Sequence, residues 1–324
     1  MRRFWQRGDA ATATIIPQEQ DDALFSEELL SLTRRLSLTP RTFVPEGLAG
    51  EHRSRRRGTS PEFADFKSYS QGDDFRRIDW NIYGRLGSLF IRLSEVTTEI
   101  PVHVLLDSSA SMLWSGSSDR PQKFTIARQI AGMLGFLSLQ RSDRVIISPF
   151  STGLLPSYGP AQGRAAVTPM LTYLTGLRAQ GETDLRATLE RYARERKRPG
   201  FAMLISDLLS GEPDDLAAGL RAFRAHGWEV AVLQVIDPAE IDPELFAETV
   251  NERGAVDLID LESRGHIRLA LSDDVVVRCR EATNEWLRAI EEACRTEQTL
   301  RVEIDTSNPL TETLRRLHEI GITG

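Results

Sequence analysis

Residues 100–111 read Ile-Pro-Val-His-Val-Leu-Leu-Asp-Ser-Ser-Ala-Ser, and this stretch decides the fold. A near-continuous apolar run that stops at an acid, Asp107, is the profile of a strand covered on both faces, as in a parallel sheet. Downstream, residues 123–140 (KFTIARQIAGMLGFLSLQ) are apolar around most of a helical circumference, which predicts an enclosed helix. RVIISPF (144–150) reads as the next strand. Two amphipathic helices follow, one carrying Val167, Met170, Leu171 and Leu174. The other opens at Thr183 and Asp184 and carries Leu185, Leu189 and Tyr192. FAMLISD (201–207) is a second buried strand ending in an acid. The helix at 213–227 starts with Pro213 and two carboxylates at its positive end and stops at Gly227. WEVAVLQVID (228–237) closes the series. This alternation predicts an α/β fold: an open, doubly wound, mainly parallel sheet with helices on both faces.

The flanks divide the chain into further segments. Residues 1–23 lack periodicity and are expected to form a flexible tail. Residues 24–97 form an N-terminal extension, in which Leu24, Phe25, Leu29, Leu32 and Leu36 sit at helical spacing ahead of Pro40. Turn-rich, hairpin-like sequence follows, including SLFIRLSE. The sheet domain spans 98–237. The C-terminal extension, 238–324, holds an acidic connector, a hairpin (VDLID, then HIRLAL), a helix over about residues 273 to 297, a strand LRVEID and a short helix near Pro309.

Composition narrows the class. The chain has 324 residues, 40% of them hydrophobic and 27% charged, with a net charge of −7. That suits an ordinary globular protein with a sizeable core, not a disordered or fibrous chain. Nine acids and one arginine fall between Asp237 and Glu262, a local net of −8 that leaves +1 for the rest. Such a segment is expected to be a solvated connector. An overall acidic chain is not a general nucleic-acid binder, although Arg53-Ser54-Arg55-Arg56-Arg57 could touch phosphates. Cys279 and Cys294 lie on one predicted helix, too far apart along it for a disulfide, and fit a reducing compartment. No apolar run reaches the roughly 18 residues of a membrane span, and MRRFWQRGDA lacks the apolar region of a secretory signal. A cytoplasmic location is therefore expected.

In doubly wound sheets, ligands bind beyond the carboxyl ends of the strands. Three features converge at that edge: Asp107-Ser108-Ser109-Ala110-Ser111, Gly181-Glu182-Thr183-Asp184 and Ser206-Asp207. Alternation lets Asp107, Ser109 and Ser111 face one way. Two carboxylates with several hydroxyls make a hard oxygen set suited to Mg²⁺, Mn²⁺ or Ca²⁺.

These residues resemble the metal-ion-dependent adhesion site (MIDAS) of the von Willebrand factor A fold. All five positions match. The resemblance implies that Ser109, Ser111 and Thr183 offer hydroxyl oxygens to one divalent ion, Mg²⁺ or Mn²⁺, with Asp107 and Asp207 holding it directly or through water. It also implies an open coordination position that a partner's carboxylate completes. Upstream, Phe63-Ala64-Asp65-Phe66-Lys67-Ser68-Tyr69-Ser70-Gln71-Gly72-Asp73-Asp74-Phe75-Arg76-Arg77-Ile78-Asp79-Trp80 resembles the signature of a bacterial family called domain of unknown function 58. Asp305-Thr306-Ser307-Asn308-Pro309-Leu310 is similar to that family's C-terminal ending. The resemblance implies a non-enzymatic, metal-dependent interaction module. Its expected partners are a MoxR-type AAA+ ATPase and a protein client, in chaperone-like assembly or activation of other complexes.

Plainer readings stand beside these. Serines and aspartates at a strand end commonly cap the following turn. A serine nucleophile would need a G-x-S-x-G elbow and a base, and His52, His103, His226, His266 and His318 are scattered. A metal-dependent phosphoester hydrolase is the alternative function, and it requires an uncommitted carboxylate or histidine beside the metal set. Glu182 and Asp184 are the nearby candidates, and Asp184 also suits a helix cap. The Gly72–Trp80 run reads as a tight turn with Arg76 or Arg77 paired to Asp79 and Trp80 anchored in the sheet domain. Asp73 or Asp74 could instead reach the open metal position from within the chain.

Overall fold

The structure, a computed structural model, describes residues 24–25, 31, 63–70, 74–94, 101–117, 120–196, 198–242, 245, 255–259, 261–262, 265–270 and 272–319. The expected tail and most of the expected first helix lie outside them. The chain divides into two compact units, Val44–Glu99 and the remainder.

The smaller unit pairs β1 (Phe63–Ser68) with β2 (Phe90–Ser94) as an antiparallel ladder, with helix α1 (Trp80–Leu86) between them. Asp79 starts α1 by accepting from the amides of Asn81 and Ile82, satisfying two donors that a helix N-terminus leaves unpaired. Gly87, in the left-handed region at φ 64°, ends it. Trp80 is 64% exposed and meets Tyr83 edge to face, so its indole covers its own helix surface.

The larger unit is built on a six-stranded sheet in the order β10-β7-β6-β3-β4-β5. Its strands are β3 (Pro101–Asp107), β4 (Arg144–Phe150), β5 (Tyr158–Gln162), β6 (Phe201–Ser206), β7 (Glu229–Ile236) and β10 (Leu300–Asp305). All pairings are parallel except β4–β5. This is the doubly wound α/β sheet that the apolar runs predict. Strand β5 is unheralded in the sequence, because YGPAQ lacks apolar patterning. Pro160 has no amide to donate, which confines such a strand to an edge. Strand β10 belongs to the same sheet, although the sequence reading places it in a C-terminal extension.

Alternation sorts the strand residues between two cores. Val102, Val104 and Leu106 face one side with Val145, Ile147, Met203, Ile205, Leu233 and Val235. Helix α2 (Lys123–Gln140) covers them, with fifteen of its eighteen residues buried, as expected of an enclosed helix. Helix α3 (Val167–Gly176) and the C-terminal helix α8 (Leu310–Glu319) add Met170, Leu174, Leu314 and Leu317. On the other side, Leu105, Ala202, Leu204 and Val232 meet α4 (Leu185–Glu195), α5 (Pro213–Ala225) and α7 (Asp273–Thr296). Each fully buried aliphatic chain contributes roughly 1.5–3 kcal/mol, so the two cores hold the sheet rigid and its carboxyl edge in register. A separate hairpin, β8 (Ala255–Ile259) with β9 (His266–Ala270), forms its own two-stranded ladder after the short helix α6 (Pro238–Ile241). The cysteines lie on α7, Cys294 buried and Cys279 half-buried.

Candidate functional site

Strand β3 is central: the chain passes to β4 on one side and returns to β6 on the other, so the topological switch flanks Asp107. Leu106 pairs with Ile205, which sets Asp107 beside Ser206. The Ser206 hydroxyl donates to Asp107 Oδ2 at 2.6 Å, and the Ser109 amide donates to Asp107 Oδ1 at 2.9 Å. The second bond closes an Asx turn that folds the chain back over the strand end. Ser109 Oγ and Ser111 Oγ then lie 3.0 Å apart.

The Thr183 loop is tied to this turn through its backbone. The Gln180 amide donates to the Ser108 carbonyl at 2.7 Å and the Ala110 amide to the Gly181 carbonyl at 2.9 Å, while the Asp184 amide ties the loop to the end of β4 through the Ser151 carbonyl at 3.2 Å. Gly181, at φ 81°, allows the chain to turn sharply enough to make them. Asp184 accepts from the Ala187 amide and caps α4.

Asp107, Ser109, Ser111 and Asp207 are all completely buried, so Asp107 is an interior group rather than a surface strand end. Burial, then the nearby charge of Asp207, pushes the Asp107 carboxyl up from 3.8 to about 7. Asp207 Oδ1 accepts from the Leu209 amide at 3.1 Å, and Oδ2 accepts from Lys123 Nζ at 2.7 Å. Lys123, buried at the start of α2, also donates to both oxygens of Glu240 at 2.7 Å. Burial opposes its charge, but Asp207 and Glu240 together outweigh that and raise its pKa. Burial lifts Glu240 to about 8, against the pull of Lys123. The site thus gathers more carboxylates than ammonium ions in a dry setting.

Glu262 completes the rim. Its Oε1 accepts from Ser210 Oγ at 2.7 Å and from Thr183 Oγ1 at 3.4 Å, and its Oε2 accepts from the Thr183 amide at 3.2 Å. Burial and then the charge of Asp207 raise the pKa of this carboxylate, while the Ser111 hydroxyl favours its charged form.

The five residues singled out in the sequence are therefore brought together. Asp107 bonds Ser109, Ser109 bonds Ser111, backbone bonds from Gln180 to Ser108 and from Ala110 to Gly181 bring in the Thr183 loop, and Asp207 acts on Asp107 through charge. Two carboxylates and three hydroxyls make an all-oxygen donor set, and the excess buried negative charge favours a hard divalent cation there. Each Asp207 oxygen accepts one bond from these neighbours, and a carboxylate oxygen can accept a second. Among the described residues, no group of three or more His, Cys, Asp or Glu side chains is placed to hold a metal ion. A hydroxyl-rich set is a different composition from such a group.

The remaining candidates have other roles. His103 Nδ1 lies 2.7 Å from the Tyr192 hydroxyl, and burial, helped by Arg196, lowers its pKa to about 4. His226 caps α5 through the Ala222 carbonyl. Asp74 accepts from the Arg76 amide within its own turn, and Asp73 lies outside the described residues.

Residues 65–289 match the family described as protein of unknown function DUF58. The chain belongs to that family. An uncharacterized protein of Mycobacterium tuberculosis (strain ATCC 25618 / H37Rv) is 25% identical to this DUF58 chain over 218 residues, 66% of this chain and 67% of the relative. An uncharacterized protein of Mycobacterium bovis matches to the same extent. Among solved structures, manganese-loaded TRAP protein of Plasmodium vivax aligns with 42% of this chain and 57% of its own, at 15% identity and a TM-score of 0.33. Proximal thread matrix protein 1 of the mussel byssus aligns with 43% of this chain and 38% of its own, at 16% identity and a TM-score of 0.34. This DUF58 chain thus spans less than two thirds of either solved structure.

Lys123, Glu240, Ser210 and Glu262 are site residues that sequence reasoning passes over. One signal was visible: Lys123 is one of three lysines among 40 basic residues, at the start of an otherwise apolar helix. The acidic run 237–262, expected to be solvated, instead buries Asp237 and Glu240 and half-buries Glu262.

Proposed function

We propose that this DUF58 protein is a non-enzymatic, metal-dependent protein-interaction module of the von Willebrand factor A type. The observation that carries the reading is the convergence of Asp107, Ser109, Ser111 and Thr183, with Asp207 behind them, on one oxygen-lined spot at the sheet's switch point. Those five residues would hold one Mg²⁺ or Mn²⁺. Bound there, the ion would supply an electrophilic position that a carboxylate of a partner protein completes. The chain's own part is positioning: Ser206 and the Ser109 amide orient Asp107, while Lys123 and the Leu209 amide orient Asp207. The partner class, a MoxR-type AAA+ ATPase working on a protein client in chaperone-like assembly, rests on the family resemblance of the Phe63–Trp80 and Asp305–Leu310 motifs. A cytoplasmic setting fits that partnership, and no helix of the described residues is long and apolar enough to cross a membrane.

The test is calorimetric titration of Mg²⁺ and Mn²⁺ into the full chain, with Asp107→Ala in parallel. One saturable site, lost in the variant, is expected, together with partner capture that a chelator abolishes. A variant that binds the ion and the partner as tightly as wild type overturns the reading. A second reading, metal-dependent phosphoester hydrolysis, is favoured by one observation: Glu262 is a carboxylate beside the set. Phosphodiester turnover with Mn²⁺ that disappears in Glu262→Gln would replace the first reading with the second.

A further inference from the structure

We infer that Glu262 is a built-in occupant of the partner's seat, so that the chain holds its own interaction site closed until a partner carboxylate displaces it. This deepens the proposed function and rests on it.

The seat is defined by what the Glu262 carboxylate touches. The Thr183 and Ser210 hydroxyls and the Thr183 amide donate to it, and the Ser111 hydroxyl favours its charged form. Thr183, which donates to it twice, is one of the residues that would hold the ion, and Ser111 is another. A carboxylate lying on them occupies the place that a partner's carboxylate would take. Ser210 is outside the five-residue set, so the seat recognises a carboxylate by a donor beyond the ion's own holders. Its chemistry selects one kind of partner group, an acidic side chain on an exposed segment.

The mounting of Glu262 suits displacement. Ile259 pairs with His266, so Glu262 rides on the loop that joins β8 to β9. That hairpin is a two-stranded ladder separate from the six-stranded sheet. Two-stranded hairpins are marginal by themselves, and lifting this one would break no pairing of the main sheet. Its tether keeps the plug at an effective concentration of about millimolar or more. A weak intramolecular contact of that kind is enough to screen out weak acidic competitors while yielding to a tighter partner.

The experiment uses the full chain, its Glu262→Ala variant and a blocked tripeptide, acetyl-Gly-Glu-Gly-amide, as the carboxylate probe. Mn²⁺ binding is measured first by calorimetry, then peptide binding in saturating Mn²⁺. Amide exchange at Thr183 is followed in metal-free protein. The expected result is Mn²⁺ binding in both proteins, peptide binding at least about tenfold tighter in Glu262→Ala, and faster Thr183 exchange in the variant. Tenfold corresponds to a seat vacant about a tenth of the time in the wild type. Ser210→Ala, which loosens the plug and leaves Glu262 present, should move peptide affinity the same way by less. Equal peptide affinity with Mn²⁺ bound in both proteins overturns the inference and leaves the metal reading standing. Loss of Mn²⁺ binding in Glu262→Ala also overturns it, since Glu262 would then be a fixed ligand. Absence of Mn²⁺ binding in both proteins instead sinks the metal reading and takes the inference with it.

Discussion

Lys123 Nζ lies 2.7 Å from Asp207 Oδ2 and 2.7 Å from each oxygen of Glu240, with all three side chains essentially inaccessible. One ammonium therefore bonds two buried carboxyl groups, and it joins helix α2 to the end of β6 and to α6. Breaking such a cluster leaves charge stranded in a low-dielectric interior, a cost of about 3–5 kcal/mol. Lys123→Met should lose that much in urea unfolding, and Lys123→Met combined with Glu240→Gln should lose less than the single variant. A single-variant loss below about 1 kcal/mol, the centre of the range for ordinary substitutions, would show that the cluster is not electrostatically closed.

Cation binding should appear as stability. A ligand that binds the native state alone stabilises it by about 2.7 kcal/mol at a hundredfold excess over its dissociation constant. Mg²⁺ or Mn²⁺ should therefore raise the thermal midpoint of the wild type and leave that of Asp107→Asn unmoved. The asparagine retains an oxygen for the Ser109 amide, so this variant separates loss of charge from loss of the turn. An equal rise in both proteins would place the bound ion elsewhere.

How much of this was legible in the sequence follows from where each signal lives. Strands β3, β4, β6 and β7 announce themselves because burial on both faces demands unbroken apolar runs, and DSSAS, Thr183 and Asp207 fall at the ends of such elements. Strand β5 did not, since an edge strand with Gly159 and Pro160 carries no periodic signal. The Lys123–Asp207–Glu240 cluster is invisible because its members come from three separate elements, and a charge in sequence gives no sign of being buried. Glu262 looked like one acid among nine. Its role depends on the β8–β9 hairpin returning to the site, a tertiary fact that no local pattern encodes.

The buried acids set a pH window. Asp107 and Glu240 titrate near 7 and 8 in the fold against ordinary values of 3.8 and 4.5, so the native state holds more protons than the unfolded state between those limits. Stability then falls as pH rises through that range. His103 works the other way: its pKa is lowered from 6.5 to about 4, so the unfolded state takes up the proton and stability rises with pH up to about 6.5. Lys123, raised above 10.5, contributes stability that persists through this window and is lost only at higher pH. The profile of metal-free protein should accordingly fall from about pH 4.5 to about pH 8, gently up to about 6.5 because His103 offsets one of the two acids, and more steeply just above that. Urea midpoints at pH 6.5 and 8 test this, and Asp107→Asn should shallow the decline. A midpoint that climbs across this interval would contradict the assignment.

Thr306 links the last strand to the loop beyond the site. Its hydroxyl donates to Asp237 Oδ2 at 3.0 Å, and the same oxygen accepts from the Gly116 amide at 2.9 Å. Asp237 Oδ1 accepts from the Ala239 amide and from Arg120. The carboxylate thus holds together the turn after Ser111, the start of α6 that carries Glu240, and the end of β10. Thr306→Val keeps the shape and removes one bond to a buried charge, at a cost of about 1.5 kcal/mol or slightly more. Ser307→Ala is the control, because Ser307 is exposed and the loss of its hydroxyl bond to Asp305 should stay within about 0.5 kcal/mol. If Thr306 only pins β10, Thr306→Val lowers the urea midpoint and leaves Mg²⁺ affinity unchanged. If the Asp237 junction also sets the loop that carries Ser109 and Ser111, Mg²⁺ affinity falls with stability. The shared acceptor at Gly116, five residues beyond Ser111, makes the second outcome the expected one, and calorimetry on the folded variant decides between them.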